Sequence, residues 1–314
     1  MLKRLGFLGA GKMAQAHARA AVKIGAVATA VASLKSNSNN LKEFLKIAPH
    51  ATVTNLEWSL ENNEVDAWIV ATPWDVIPSM AHTLFACPLP MLIEKPISLH
   101  DQIFPSGEYE GNKFVGFNRR FYPPVRELKA AVARSRVKSV VVTISDMIDS
   151  IISRHGDGVL PYAMEMWAAH ILDLVSYLFG RSEIVWKSVS EGPKGYLNVE
   201  AMLISGRDRV PIHLSINADD PSPVGVRVRM SDGATHVLAP IECLTTYKGM
   251  EASESEGVRC YRAHEVQQTG CLNDGFKPGI HEQMHAFLHQ DRRQLATIAD
   301  ARQVHNIIRE LRAP

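Results

Sequence analysis

Leu5-Gly6-Phe7-Leu8-Gly9-Ala10-Gly11-Lys12-Met13-Ala14 is the stretch on which the fold turns. A short apolar run breaks at glycines and passes into residues 14–24, which have helical composition. In that setting Gly9-x-Gly11-x-x-Ala14 predicts the first βα turn of a dinucleotide-binding unit. The first glycine permits a tight turn, and the second lets the backbone approach a pyrophosphate. The small third residue lets helix and sheet pack closely, while the helix N-terminus attracts phosphate. Glycines also end strands for purely structural reasons, so the weight lies in the flanking strand and helix. Gly9, Gly11, Lys12 and Met13 are the cofactor-binding candidates here.

The surrounding pattern agrees. Strands are predicted at 5–8, 27–32, 52–54, 66–72, 90–93 and 114–117, with helices at 14–24, 41–47 and 77–86. This cadence specifies a parallel sheet with right-handed crossovers. Beyond residue 119 the pattern changes. A helix at 123–134 and a long β-branched strand at 137–145 precede a loop with Gly156 and Gly158, then a helix at about 165–179. Strands follow at 184–190, 197–205, 209–217, 224–230, 235–239, 242–248 and 257–262, and helices at 281–289 and 298–311 close the chain. The expected division is a Rossmann domain over 1–119 and an α+β domain over 120–314 that keeps the closing helices. No repeat or low-complexity linker separates them, so close docking is expected.

Composition narrows the function classes. A chain of 314 residues can bury two cores, and 46% hydrophobic with 21% charged residues is ordinary for a globular enzyme. A net charge of +1 makes no electrostatic case for nucleic acid or an anionic membrane. Cys87, Cys243, Cys260 and Cys271 show no CxxC spacing and are too sparse for a disulfide framework. There is no signal-like apolar region at the start, and no apolar run approaches the roughly 18 residues of a membrane span. A cytoplasmic location is the expectation.

The strand ends carry the chemistry, because ligands of open α/β sheets sit at the carboxyl edge. The second strand ends Ala32-Ser33-Leu34-Lys35-Ser36-Asn37, and no acidic residue precedes Glu43. NAD sites want an acid there for the ribose 2′-hydroxyl. Ser33 and Lys35 suit a 2′-phosphate instead, so NADP is expected, with NAD possible; a plain polar loop is the alternative. Ala71, Thr72, Pro73 and Trp74 end the fourth strand at the same edge. Trp74 either covers the nicotinamide ribose or packs between domains. Glu94-Lys95-Pro96 closes the strand after that, and a Glu-Lys pair locked by proline is poor core material.

Four features in order, Gly9-Ala10-Gly11-Lys12-Met13-Ala14, Ala71-Thr72-Pro73, Glu94-Lys95-Pro96 and Val115-Gly116-Phe117-Asn118-Arg119-Arg120-Phe121, resemble the glucose–fructose oxidoreductase / inositol dehydrogenase (Gfo/Idh/MocA) family. A fifth, His170-Ile171-Leu172-Asp173-Leu174, looks like that family's His-x-x-Asp helix. The resemblance implies a second domain built on an open, mostly antiparallel sheet that binds substrate and often forms a dimer. It also implies redox chemistry at a carbon of a sugar, cyclitol or related compound.

On these positions Glu94 is expected at the cofactor and Lys95 at the reacting oxygen, where an ammonium polarises a carbonyl or stabilises an alkoxide. Pro96 restricts Lys95 and aims its side chain. His170 is the candidate acid–base group, held by Asp173. His170, Asp173 and Tyr177 form a polar stripe on an apolar helix, which either lines a site or faces water. One departure stands out. The family commonly carries Asp four residues before the histidine, and here that residue is Met166. Glu165 is adjacent, but a regular helix turns it about 100° away. Asn118 and Arg120 follow a strand at the domain junction and either bind substrate or bridge domains. Tyr162 and Trp167 either stack on a sugar ring or belong to the core.

The expected function is an NADP-dependent oxidoreductase moving hydride between nicotinamide and a carbon-bound oxygen of a sugar, nucleotide-linked sugar or cyclitol-like substrate. Its partners are a small-molecule substrate and other copies of itself, as a homodimer or higher homo-oligomer. A non-catalytic NADP-binding sensor of the same fold is one alternative. A more remote one rests on His281-Glu282-Gln283-Met284-His285, an HExxH string found in zinc hydrolases. Little scaffold surrounds it in sequence, and the resemblance implies a packed helix here that turns Met284, Phe287 and Leu288 inward, so no metal is expected.

Overall fold

A computed structural model describes residues 1–33, 35, 37–55, 64–255, 257–271 and 275–313. The chain forms two compact units: Met1–Phe121 with Asn273–His305, and Tyr122–Leu272 with Asn306–Pro314. The expected second domain ran through to residue 314, so the return of 273–305 to the first unit corrects that boundary.

The first unit is a seven-stranded sheet in the order β15-β6-β5-β4-β1-β2-β3. Its strands are β1 (Arg4–Leu8), β2 (Val27–Ala32), β3 (Thr52–Thr54), β4 (Ala67–Val70), β5 (Met91–Ile93), β6 (Lys113–Val115) and β15 (Ala296–Thr297). β1 to β6 pair in parallel, and β4 and β5 are buried throughout, as strands covered on both faces must be. α1 (Lys12–Ile24) lays Ala14, Ala18 and Ala21 inward and ends at Gly25, whose φ of 91° forms a left-handed cap. α2 (Asn39–Ile47) starts where the Leu41 N–H donates to Ser38 Oγ at 3.2 Å, and α3 (Val76–Ala86) follows β4. The distant segment joins through β15, antiparallel to β6, and through α7 (Ile280–Leu288). Met284 and Phe287 are buried in the same core as Ala14 and Ala18, and the Phe287 ring meets Phe114 edge-on at 6.2 Å.

The second unit holds an eight-stranded sheet, β14-β13-β12-β11-β7-β10-β9-β8. These are β7 (Val137–Asp146), β8 (Ser182–Glu191), β9 (Leu197–Ser205), β10 (Val210–Ala218), β11 (Gly225–Met230), β12 (Ala234–Leu238), β13 (Cys243–Ser255) and β14 (Val258–Gly270). Only β7 and β10 pair in parallel; the other pairings are antiparallel. β10 buries Val210, Ile212, Leu214 and Ile216 and turns the residues between them outward. The helices are α4 (Pro123–Arg134), α5 (Ile148–His155) and α6 (Ala169–Phe179). α5 occupies a stretch expected to be loop: Ile148 and Ile151 supply its short buried face. β13 and β14 are longer than expected: β13 runs past 248 with Met250 exposed, and β14 runs on through 263–270, almost all of it exposed, so no apolar alternation marks either extension. α8 (Ile298–Arg312) closes the chain.

Candidate active site

At the first turn, the Gly9 N–H donates to Ala32 O and the Ala71 N–H to Leu8 O, each at 2.8 Å, tying the ends of β1, β2 and β4 together. Gly9 has φ of 104°, and a Cβ there would lie 2.4 Å from Ala71 O. Gly11 differs. Its φ is −68°, and a Cβ would meet nothing within 4 Å. It caps α1 without a side-chain bond, and the first turn of α1 has no acidic residue. No acidic side chain of that turn therefore answers the partial positive charge of its N–H groups. Thr72 Oγ1, at the end of β4, is buried with no hydrogen-bond partner among the described residues. These features fit a dinucleotide, with its pyrophosphate over Gly11.

The two glycines should separate experimentally. Gly9→Ala is expected to unfold or severely destabilise the protein, since the positive φ alone costs about 1–3 kcal/mol before the backbone clash. Gly11→Ala should melt within a few degrees of wild type, yet bind a nicotinamide dinucleotide more weakly by on the order of tenfold or more, if a phosphate approaches the backbone at Gly11. Thermal melts with calorimetry check both.

At the end of β2, Ser33 Oγ donates to Lys35 O at 3.2 Å, and the Lys35 side chain is exposed. Leu34 and Ser36 lie outside the described residues. Pro73 is exposed and Trp74 half-buried ahead of α3.

Lys95 is half-buried at the end of β5, and its bond to Pro96 is cis. Glu94 corrects an expectation. Its carboxylate turns into the first unit, 8% exposed, and lies 2.9 Å from His17 Nε2 on α1. Gly116 makes room for it, since a Cβ there would stand 2.8 Å from the Glu94 carboxyl carbon. Burial works against the Glu94 charge, but the His17 hydrogen bond and the charges of His17, Lys277 and Lys95 outweigh it. The carboxyl is held below the usual carboxylate range. Lys277 also sits 3.3 Å from Met13 Sδ, beside the start of α1. Asn118 and Arg120 are likewise used internally: Asn118 Nδ2 donates to Pro278 O at 2.8 Å, and Arg120 Nη1 lies 3.4 Å from Asp300 Oδ2. Both are buried, and these contacts lie within the first unit.

In the second unit His170 is half-buried on the first turn of α6, and Asp173 is 1% exposed one turn later. Tyr177 packs against α4, with Lys129 Nζ 4.4 Å from its ring centre. A π-helical turn, Met164–Ala168, runs directly into α6 and buries Glu165. Trp167 in that turn meets the His155 ring edge-on at 5.6 Å, and Tyr162 is half-buried just before it.

The HExxH string lies on α7, where Gln283, Met284, Phe287 and Leu288 are buried and His285 stacks on His289 at 4.0 Å. Among the described residues no three His, Cys, Asp or Glu side chains are grouped to hold a metal ion.

A family model described as "Oxidoreductase family, NAD-binding Rossmann fold" matches residues 3–103. The chain is 31% identical over 138 residues to the rhizopine catabolism protein MocA of Rhizobium meliloti, a match spanning 40% of this chain and 41% of that protein. It is 23% identical over 321 residues to inositol 2-dehydrogenase of Rhizobium meliloti (strain 1021), covering 88% of this chain and 93% of the relative. The chain is thus similar to the Gfo/Idh/MocA oxidoreductases, through the family model over residues 3–103 and through these two relatives. A solved structure, UDP-N-acetylglucosamine 3-dehydrogenase from Acidithiobacillus ferrooxidans, shares its fold with a TM-score of 0.71 at 16% identity, over 98% of this chain and 96% of that one.

The first unit brings the Gly9–Gly11 turn, Thr72 and Lys95 to one sheet edge, since β1, β4 and β5 are adjacent and parallel. Sequence reading missed His17 and Lys277. His17 sits eight residues after Gly9 on the buried face of α1, a position from which a polar partner could have been sought. Lys277 is separated from Met13 by 264 residues and left no local signal. Among the described residues no helix is long and apolar enough to cross a membrane.

Proposed function

We propose that this protein is an NADP-dependent oxidoreductase acting on a hydroxyl-bearing carbon, or the corresponding carbonyl, of a sugar, nucleotide-linked sugar or cyclitol-like substrate. The observation that carries this reading is the shared carboxyl edge of β1, β4 and β5, which holds an anion-binding helix start, the Thr72 hydroxyl and the Lys95 ammonium. When bound, the nicotinamide supplies or accepts the hydride. Lys95 holds the reacting oxygen by its positive charge, favouring the alkoxide-like charge of the transition state. His170 takes the hydroxyl proton in oxidation and returns it in reduction, while Asp173 keeps the ring oriented. Glu94, locked on His17, anchors the backbone from which Lys95 projects. The names of inositol 2-dehydrogenase and UDP-N-acetylglucosamine 3-dehydrogenase support the substrate class.

The preference for NADP rests on Ser33 and Lys35 and on the lack of an acid at the end of β2. Calorimetry should show NADPH binding more tightly than NADH. Ser33→Asp should reverse or flatten that preference, because a carboxylate repels the 2′-phosphate and accepts from the ribose hydroxyl. Equal or tighter NADH binding by wild type would remove the NADP assignment and leave the oxidoreductase reading in place. A panel of polyols and sugars, followed by absorbance of the reduced nicotinamide, then tests the reaction itself. Homo-oligomerisation is part of this reading, supported by Val141 and Trp186, exposed on one face of the second sheet.

A further inference from the structure

We propose that Glu165 is the carboxylate that positions His170, brought onto its face by the π-helical turn Met164–Ala168. The proposal rests on the reading of His170 as the acid–base group.

On a regular α-helix, residues five apart stand about 140° around the axis, so Glu165 would project away from His170, and Met166 would share its face. The helix here is not regular. The Ala169 N–H reaches back to the carbonyl of Met164, five residues away, where an α-helix reaches four. Such a turn takes in one extra residue, which shifts the phase of everything beyond it by one position. Across it, Glu165 and His170 acquire the relation of an i,i+4 pair, about 40° apart and one turn removed.

Burial gives the carboxylate an interior place. Glu165 is 2% exposed, in a segment where an outward-facing glutamate would normally be solvated. A carboxylate loses several kcal/mol of hydration on burial, so its retention there points to a polar environment inside. Asp173 is buried at 1%, three residues beyond His170. On this phase the imidazole has a buried carboxylate one helical turn before it and another one turn after. Asp173 follows from plain α-helical spacing, whereas Glu165 reaches the same face only because the turn is widened. A carboxylate in this place fixes the ring and favours the imidazolium that forms when His170 holds the substrate proton.

The test combines catalysis with a signal from the ring itself. Glu165→Gln, folded as judged by its melting temperature, should lower kcat by on the order of 10²-fold, the scale for a slightly misplaced group, with KM within about threefold. The ¹⁵N shifts of the His170 ring should move. Glu165→Asp, which keeps the charge on a shorter stem, should recover part of both effects. Deleting Met166 closes the widened turn and leaves the glutamate four residues before the histidine, so turnover and ring shifts should stay near wild type. Wild-type kcat and unmoved ring signals in Glu165→Gln would overturn the proposal, as would equal losses in the Asp and Gln variants. The ring signals need no substrate. If wild type turned over none of the polyols, the proposed function would fall while the pairing of Glu165 with His170 would still be decided.

Discussion

Replacing His170 with alanine is expected to lower kcat by a factor on the order of 10²–10⁴, the range for a positioned acid–base group. In oxidation the imidazole must be neutral to take the hydroxyl proton, so the wild-type rate should rise with pH as the ring loses its own proton. The variant should lose that limb and follow only the solvent. NADPH binding should be unchanged, since the phosphate-binding turn lies on β1 and α1, in the other unit. Stopped-flow pH profiles and calorimetry read these effects. A folded His170→Ala enzyme with a wild-type rate and an intact limb would move the acid–base role elsewhere.

Lys95→Met should cost turnover by on the order of 10² or more, the scale for losing one donor to a developing oxyanion. Methionine keeps the length and packing of the side chain while removing its charge, so the fold and the Glu94–His17 pair beneath it should persist. NADPH affinity should stay within a few-fold of wild type, because the reading assigns the pyrophosphate to the start of α1 and Lys95 to the substrate. The loss should appear in kcat more than in KM. A variant that bound NADPH ten times more weakly at full kcat would instead make Lys95 a cofactor ligand.

Much of this site was readable in the chain because its chemistry depends on near neighbours. The Gly9 and Gly11 positions, the polar end of β2, the Lys95-Pro96 pair and the His170 stripe are each set by residues within a few positions of one another. Turn conformation, helical phase and strand alternation act over that range. Glu94 shows where such reading stops. Its place at the sheet edge was legible, but the turn of its carboxylate toward His17, 77 residues away, depends on the space over Gly116. Asn118 and Arg120 read as ligand groups by type, and only their contacts with Pro278 and Asp300 show them in use inside the first unit.

By itself, then, the sequence determined a parallel sheet opening on a dinucleotide turn, a mostly antiparallel second sheet, and which ionisable groups stand at strand ends and on the α6 stripe. Periodicity and turn chemistry are local, so these survive without knowledge of the fold. Tertiary structure alone decided that residues 273–305 return to the first unit, where the apolar face of α7 finds α1 and β15 finds an open strand edge. It likewise decided that Lys277 stands beside Met13, and that the helix before His170 is widened by one residue. Those outcomes follow from which distant surfaces bury each other, and no spacing along the chain encodes that.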